Sequence, residues 1–211
     1  SIEINGGTFK VNAPWNNFYY VLNQQNGSEG SITVKGGTFE NYDPSRGDDH
    51  DQPTNFVAEG YKSLQKGETY VVVPNEVTDV VSSNEDLDAA ISNTEGEATI
   101  ALGNNAEISL KSGAANGKSN DFTFIGDGTS TFDVISDAVT AEGGELNYQR
   151  GSTFTFQNLT IKAGEGNFDG IVCDELTYYN CTITGKLALY GKATFINCTF
   201  ENDMANQYSI W

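Results

Sequence analysis

Short runs in which apolar and polar residues alternate recur along the chain, and several of them end at a glycine or an asparagine. Alternation with a period of two predicts β-strands whose side chains point inward and outward in turn. Gly and Asn tolerate the positive φ of a tight corner, so a second short strand is predicted after each corner. Five copies share the order apolar, any residue, Gly or Asn, small or apolar, Thr, then aromatic or Ile: 4–9, 34–39, 156–161, 178–183 and 195–200.

The repeat spacing indicates how these strands stack. The three C-terminal copies are 22 and 17 residues apart, and a degenerate copy at 124–129 carries one extra residue. Short strands with tight corners at this period predict an all-β fold, a parallel β-helix, with equivalent residues about 4.8 Å apart in neighbouring coils. Asn158, Asn180 and Asn197 would then form an amide ladder, with Cys181 stacked on Cys198. The competing interpretation is an antiparallel β-sandwich, whose hairpin signals occur only locally.

Other patterns divide the chain into two parts. Residues 61–73 alternate about Lys66-Gly67 and predict a hairpin, which ends a β-rich repeat unit over residues 1–74. A linker is predicted at 75–83. A β-helix domain is predicted over 84–211, and it begins with a short capping helix near 84–92 that has acidic residues in its first turn. Such a helix covers the apolar interior that the first coil of a stack would otherwise expose.

Composition and charge limit the partners. The chain has 211 residues and a net charge of −18, of which −12 falls in residues 75–146. Such a surface repels nucleic acid and anionic lipid. No apolar stretch approaches the length of about 20 residues that spans a bilayer, so membrane insertion is not predicted.

Cysteine and histidine are scarce. Three cysteines, Cys173, Cys181 and Cys198, are too few for a disulfide framework, and none forms a CxxC pair. They are predicted to be buried and reduced, because stacked coils point neighbouring side chains in the same direction. The single histidine, His50, lies in a loop-like run and gives weak support to histidine-dependent catalysis.

Three stretches, ITVKGGTFENYDP, TNFVAEGYKSLQKGETYVVVP and TFINCTFENDMANQYSIW, together with the NEDLDAAI helix start, resemble the pectate-lyase-like right-handed parallel β-helix superfamily. They look most like repeat-bearing surface proteins of gut anaerobes and their phages. The resemblance implies a right-handed β-helix and a place in a large multidomain protein. Similar sequences continue into further coils beyond the position of Trp211, so this chain is expected to be truncated at its C-terminus.

The superfamily also contains lyases and hydrolases of acidic polysaccharides, so the resemblance also implies candidate catalytic residues. Residues 167–171 are similar to a polygalacturonase motif whose aspartate, here Asp169, acts as general acid; Asp174 or Glu175 would supply the second carboxylate. The family's Gly-His-Gly and Arg-Ile-Lys motifs are absent. Calcium is a further possibility in the acidic loop, since this ion takes six to eight oxygen ligands. The candidate calcium ligands are Asp43, Asp48, Asp49 and Asp51.

The expected function is that of a non-catalytic structural or adhesive module, an acidic rod that presents its surface to glycan or protein partners. Its expected location is extracellular, on a cell surface or a virion, with further β-helix coils as neighbours. The alternative is a polysaccharide-active lyase or hydrolase acting on acidic glycans.

Overall fold

The computed structural model describes residues 1–25, 27, 29–47, 54–134, 146–164, 169–202, 209 and 210. The chain divides into two compact units, Ser1–Val80 and Val81–Trp211. Among the described residues, no helix is both long and apolar enough to cross a membrane.

The first unit is built on a four-stranded mixed sheet in the order β1-β2-β4-β3. Its strands and one 3-10 helix are β1 Ile2–Phe9, β2 Ile32–Glu40, the 3-10 helix Pro44–Arg46, β3 Tyr61–Lys66 and β4 Thr69–Pro74. The antiparallel pairing of β3 with β4 confirms the predicted hairpin. Its turn lies at Gly67-Glu68, one residue later than predicted, because Lys66 still pairs with Thr69.

The two N-terminal repeat copies lie side by side in this sheet. β1 and β2 are parallel, with Ile4 opposite Val34 and Phe9 opposite Phe39. The two phenyl rings stack with centroids 4.9 Å apart. A Cβ on Gly36 would lie 2.5 Å from the carbonyl oxygen of Asn5, so the close approach of the two copies requires glycine there. Six residues form the buried core: Leu22, Val34, Phe39, Tyr42, Phe56 and Val72.

The second unit contains two further sheets. Strands of the first are β5 Asp79–Val81, β6 Glu97–Leu102, β8 Asp121–Ile125, β10 Leu146–Tyr148, β11 Thr153–Gln157, β13 Gly170–Tyr179 and β15 Tyr190–Ile196. Strands of the second are β7 Glu107–Ser109, β9 Thr131–Asp133, β12 Thr160–Lys162, β14 Thr182–Thr184 and β16 Thr199–Glu201. Successive strands alternate between the sheets along much of the chain.

Both sheets are all-parallel, which is consistent with a β-helix-like arrangement and excludes the antiparallel sandwich for this unit. The register follows the repeat, since Thr160 lies opposite Thr182 and Thr182 opposite Thr199. The degenerate copy differs from the prediction: Thr131, and not Thr129, pairs with Thr160. The reason is a local turn in which the Asp127 carboxylate accepts hydrogen bonds from the Thr129 N–H and hydroxyl.

The asparagine corners occur as predicted. Asn158, Asn180 and Asn197 all have positive φ, at 54°, 52° and 52°. Asn180 Nδ2 donates to Asn158 Oδ1 over 3.4 Å, which confirms the first step of the amide ladder.

Inward side chains form aromatic and aliphatic columns between the sheets. Phe124, Phe156 and Tyr178 are fully buried, and Phe195 continues the same column. Their rings stack with centroid separations of 5.6, 5.3 and 5.0 Å. Parallel in-register pairing places each ring over its predecessor, so one sequence pattern builds a continuous core.

The predicted helix is confirmed as α1, Asn84–Asn93. Ser83 Oγ caps it by accepting from the Asp86 N–H, and Leu87, Ala90 and Ile91 pack into the core of the second unit. The segment predicted as a linker, 75–83, contains β5, because its Val80-Val81 run is buried and paired in the sheet.

Candidate functional site

The outer face of the five-stranded sheet carries two columns of polar side chains. Pairing in register places one outward residue of each strand beside its equivalents in neighbouring strands, about 4.8 Å apart. The first column is Glu107, Thr131, Thr160, Thr182 and Thr199. The second column is Ser109, Asp133, Lys162, Thr184 and Glu201.

A groove of about 370 Å³, here called the polar groove, lies over these columns. This volume is within the range of small-ligand sites, roughly 300–1,000 Å³. It is lined by residues of four strands and one helix: Asn84 of α1, Glu107, Ile108 and Ser109 of β7, Thr131 and Asp133 of β9, Thr160 and Lys162 of β12, and Thr184 of β14. Hydroxyls, an amide and charged groups therefore face one continuous space.

The first residue of α1 borders the polar groove at β7. Asn84 Oδ1 accepts from the Ser109 N–H over 2.9 Å, and Asn84 Nδ2 donates to Ser109 Oγ over 3.4 Å. These bonds satisfy a backbone donor of β7, which lies at the edge of its sheet. They also fix the position of Ser109 in the groove.

One ion pair lies in the polar groove. Lys162 Nζ is 3.3 Å from Asp133 Oδ2, and the two residues are partners on adjacent strands. An exposed pair of this kind contributes little to stability, about 0–1 kcal/mol. The pair matters more for ligand binding than for stability. Lys162 carries the one ammonium group in the groove lining, and that group already has a carboxylate partner.

The three predicted catalytic carboxylates lie in different local environments. Asp169 precedes β13 and is buried, whereas Asp174 is exposed and accepts from the Gly151 N–H over 2.9 Å. Glu175 Oε1 lies 2.7 Å from Lys192 Nζ. None of the three lines the polar groove.

Only one of the predicted calcium ligands is described. The Asp43 carboxylate caps the 3-10 helix, accepting from the Ser45 N–H over 2.9 Å and from Ser45 Oγ over 2.7 Å. Asp48, Asp49, Asp51 and His50 lie outside the described residues. Within the described part of the chain, no group of three or more His, Cys, Asp or Glu could hold a metal ion.

All three cysteines are free thiols. Cys173 and Cys181 are buried as predicted, whereas Cys198, which directly precedes the edge strand β16, is only half-buried. Burial raises the pKa of Cys173 to about 12 and that of Cys181 to about 11. Desolvation disfavours the charged thiolate, so neither group is suited to nucleophilic chemistry.

We expect a thiol reagent at pH 8 to modify Cys198 quickly and the other two cysteines slowly, with three fast thiols after denaturation. Thiols of the unfolded chain ionise near pH 9.0, whereas the folded pKa values of Cys181 and Cys173 are about 11 and 12. As the pH rises, the unfolded state therefore loses its thiol protons before the folded state does. The free energy of unfolding should fall as the pH is raised from 9 to 12. Ellman titration with and without denaturant measures the thiols, and Cys198→Ser identifies the fast one. Fewer than three thiols in the denatured chain would contradict the free-thiol assignment.

The amino-acid sequence alone does not single out the residues of the polar groove. One signal is present, because the Thr of each of the three C-terminal repeat copies begins a strand of the same sheet, as at Thr160 and Thr182. Glu107, Asp133 and Lys162 carry no such signal, since a charged residue in an alternating strand is usually a solvated surface position.

Comparisons of the chain with protein-family models, with curated proteins and with solved structures find no match. The features of the chain that bear on its function are therefore its parallel sheets and its polar groove.

Proposed function

We propose that this chain is a non-catalytic adhesive module of an extracellular surface, carried by a bacterial cell or a virion, and that it binds a glycan in the polar groove. Its scaffold would be a right-handed parallel β-helix, as in the pectate-lyase-like proteins that the sequence resembles. The observation that carries the proposal is the polar groove itself, a cavity lined by side chains from four in-register strands.

The β-helix assignment rests on the two parallel sheets and the columns between them. Strands alternate between the sheets through short corners such as Asn158 and Asn180, so the chain advances by one coil per repeat. Connections between parallel strands of one sheet are right-handed in about 98% of cases, which supports the proposed handedness.

Glycan binding is supported by the chemistry of the groove lining. Thr131 and Thr160 offer hydroxyls that both donate and accept, and Asn84 and Ser109 add further polar atoms. Sugars are recognised through many such hydrogen bonds. A rigid sheet also holds the groups in place, which lowers the entropy lost on binding.

A lyase or hydrolase of acidic glycans is the second candidate, and it has weaker support. Its candidate residues Asp169, Asp174 and Glu175 differ in burial and lie outside the groove lining. The high negative charge of the chain would also repel a polyuronate substrate.

Further coils are proposed as structural neighbours. Inward residues of one column are fully buried at Ile161 and Ile183, whereas Phe200, the next in register, is 36% exposed. A rung of the same pattern would bury this side chain as the preceding rungs bury theirs.

Replacing Thr160 with valine should weaken glycan binding about twofold to tenfold. The substitution keeps the shape and the strand preference but removes one hydroxyl, whose hydrogen bond to a ligand contributes about 0.5–1.5 kcal/mol. A glycan array with the full chain identifies a ligand, and titration calorimetry then gives the two binding constants.

Thr155→Val is the matched control, because Thr155 lies in an outward threonine column of the other sheet and does not line the groove. We expect it to bind as the unmodified chain does. Equal binding by all three proteins would exclude the groove as the site. Unsaturated or hydrolysed products from any glycan would contradict the non-catalytic assignment.

A further inference from the structure

The polar groove crosses the strands and does not run along one of them. Its lining comes from β7, β9, β12 and β14, which are successive neighbours in the sheet. Four strands spaced about 4.8 Å apart extend over about 14 Å. A ligand that fills the groove therefore passes one strand after another and meets a similar pair of outward positions at each.

Each strand presents two outward side chains separated by one inward residue. On β9 they are Thr131 and Asp133, and on β12 they are Thr160 and Lys162. A pyranose ring carries hydroxyls on both edges and so matches two polar groups per strand. An extended β-linked glycan advances by nearly the strand spacing with each sugar, so one sugar can face each strand.

Charge determines which glycans fit. The Asp133 carboxylate neutralises the Lys162 ammonium, and Glu107 adds a second carboxylate to the lining. The surrounding segment 75–146 carries −12 of the chain's −18. These negative charges would repel a uronate or sulfate group on the ligand. The one cation of the groove lining is already paired, so it would not offset that repulsion.

On the basis of the proposed glycan-binding function, we propose that the ligand is a neutral, extended β-linked glycan lying across β7, β9, β12 and β14, with one sugar facing each strand. The groove volume of about 370 Å³ limits the bound segment to a short oligosaccharide. The four strands set the number of sugars that contribute.

The test is calorimetry of the full chain with two oligosaccharide series of increasing length, one of neutral β-linked hexoses and one of β-linked uronic acids. For the neutral series we expect the affinity to rise with each sugar up to about four and then to level off, as four strands line the groove. The uronic series should bind at least about tenfold more weakly than the neutral series at low salt. This difference in affinity should become smaller at higher salt, which screens the negative charge of the protein.

Asp133→Asn tests the charge argument, because it frees the Lys162 ammonium. We expect the ratio of uronic to neutral affinity to rise about fivefold to tenfold. Asp121→Asn, whose carboxylate lies on the other sheet, is the matched control and should leave the ratio unchanged.

If uronic glycans bind best, or length has no effect, while Thr160→Val still weakens binding, this inference fails and the proposed function stands. If neither series binds, and Thr160→Val does not change the affinity for any glycan ligand, the proposed function fails as well.

Discussion

Replacing Phe156 with alanine is expected to lower the free energy of unfolding of the second unit by about 3–5 kcal/mol. Phe156 is fully buried and contacts the rings of Phe124, Phe132 and Tyr178. Removing the ring leaves a cavity in the centre of the column, and the parallel sheets on both sides limit collapse around it.

Denaturant unfolding followed by labelling of Cys181 measures this loss, because that thiol is buried in the same unit. Phe200→Ala is the matched control. Phe200 lies in the edge strand β16 and is 36% exposed, so its truncation should cost only about 1 kcal/mol. Equal losses for the two variants would show that the stacked column is not the source of stability.

Replacing Gln149 with alanine is expected to cost about 3 kcal/mol. Its buried amide accepts from the Ala115 N–H over 2.7 Å and donates to the Lys111 carbonyl over 2.8 Å. It also donates to Asn147 Oδ1 over 2.7 Å. Truncation leaves these buried groups without partners, and each unsatisfied group costs about 1–3 kcal/mol.

The measurements are denaturant unfolding and hydrogen exchange at the Ala115 N–H, which should become faster in the variant. Gln157→Ala is the control, since Gln157 points outward from β11, and its loss should stay within about 0.5 kcal/mol. Unchanged exchange at Ala115 in Gln149→Ala would contradict the role of this amide.

The sequence predicted local structure well where one pattern had one physical solution. Acidic residues in the first turn of the segment near 84–92 predicted α1, because charge near a helix start is a local property, and the structure places the cap at Ser83. The corners at Asn158 and Asn180 were equally predictable, since few residues adopt positive φ. The register error at Thr129 arose because an extra turn, held by the Asp127 side chain, lengthens the corner without changing the residue types that follow.

The candidate site was less predictable. Asp169 and Asp174 are close in sequence, yet the first is buried and the second is exposed. The groove residues Asp133 and Lys162 are 29 positions apart and meet only because β9 and β12 pair. Sequence alternation shows that a side chain is outward, but not which strand lies beside it.

The sequence by itself determined the repeat, the strand alternation, the asparagine corners and the helix, because each follows from the conformational preferences of a few adjacent residues. Tertiary structure alone decided which strands became neighbours, which buried amides found partners and which outward side chains shared one groove. Those outcomes depend on the length of every connection between strands. One extra turn at residues 126–130 shifts the threonine that enters the groove from Thr129 to Thr131, and no local pattern records that shift.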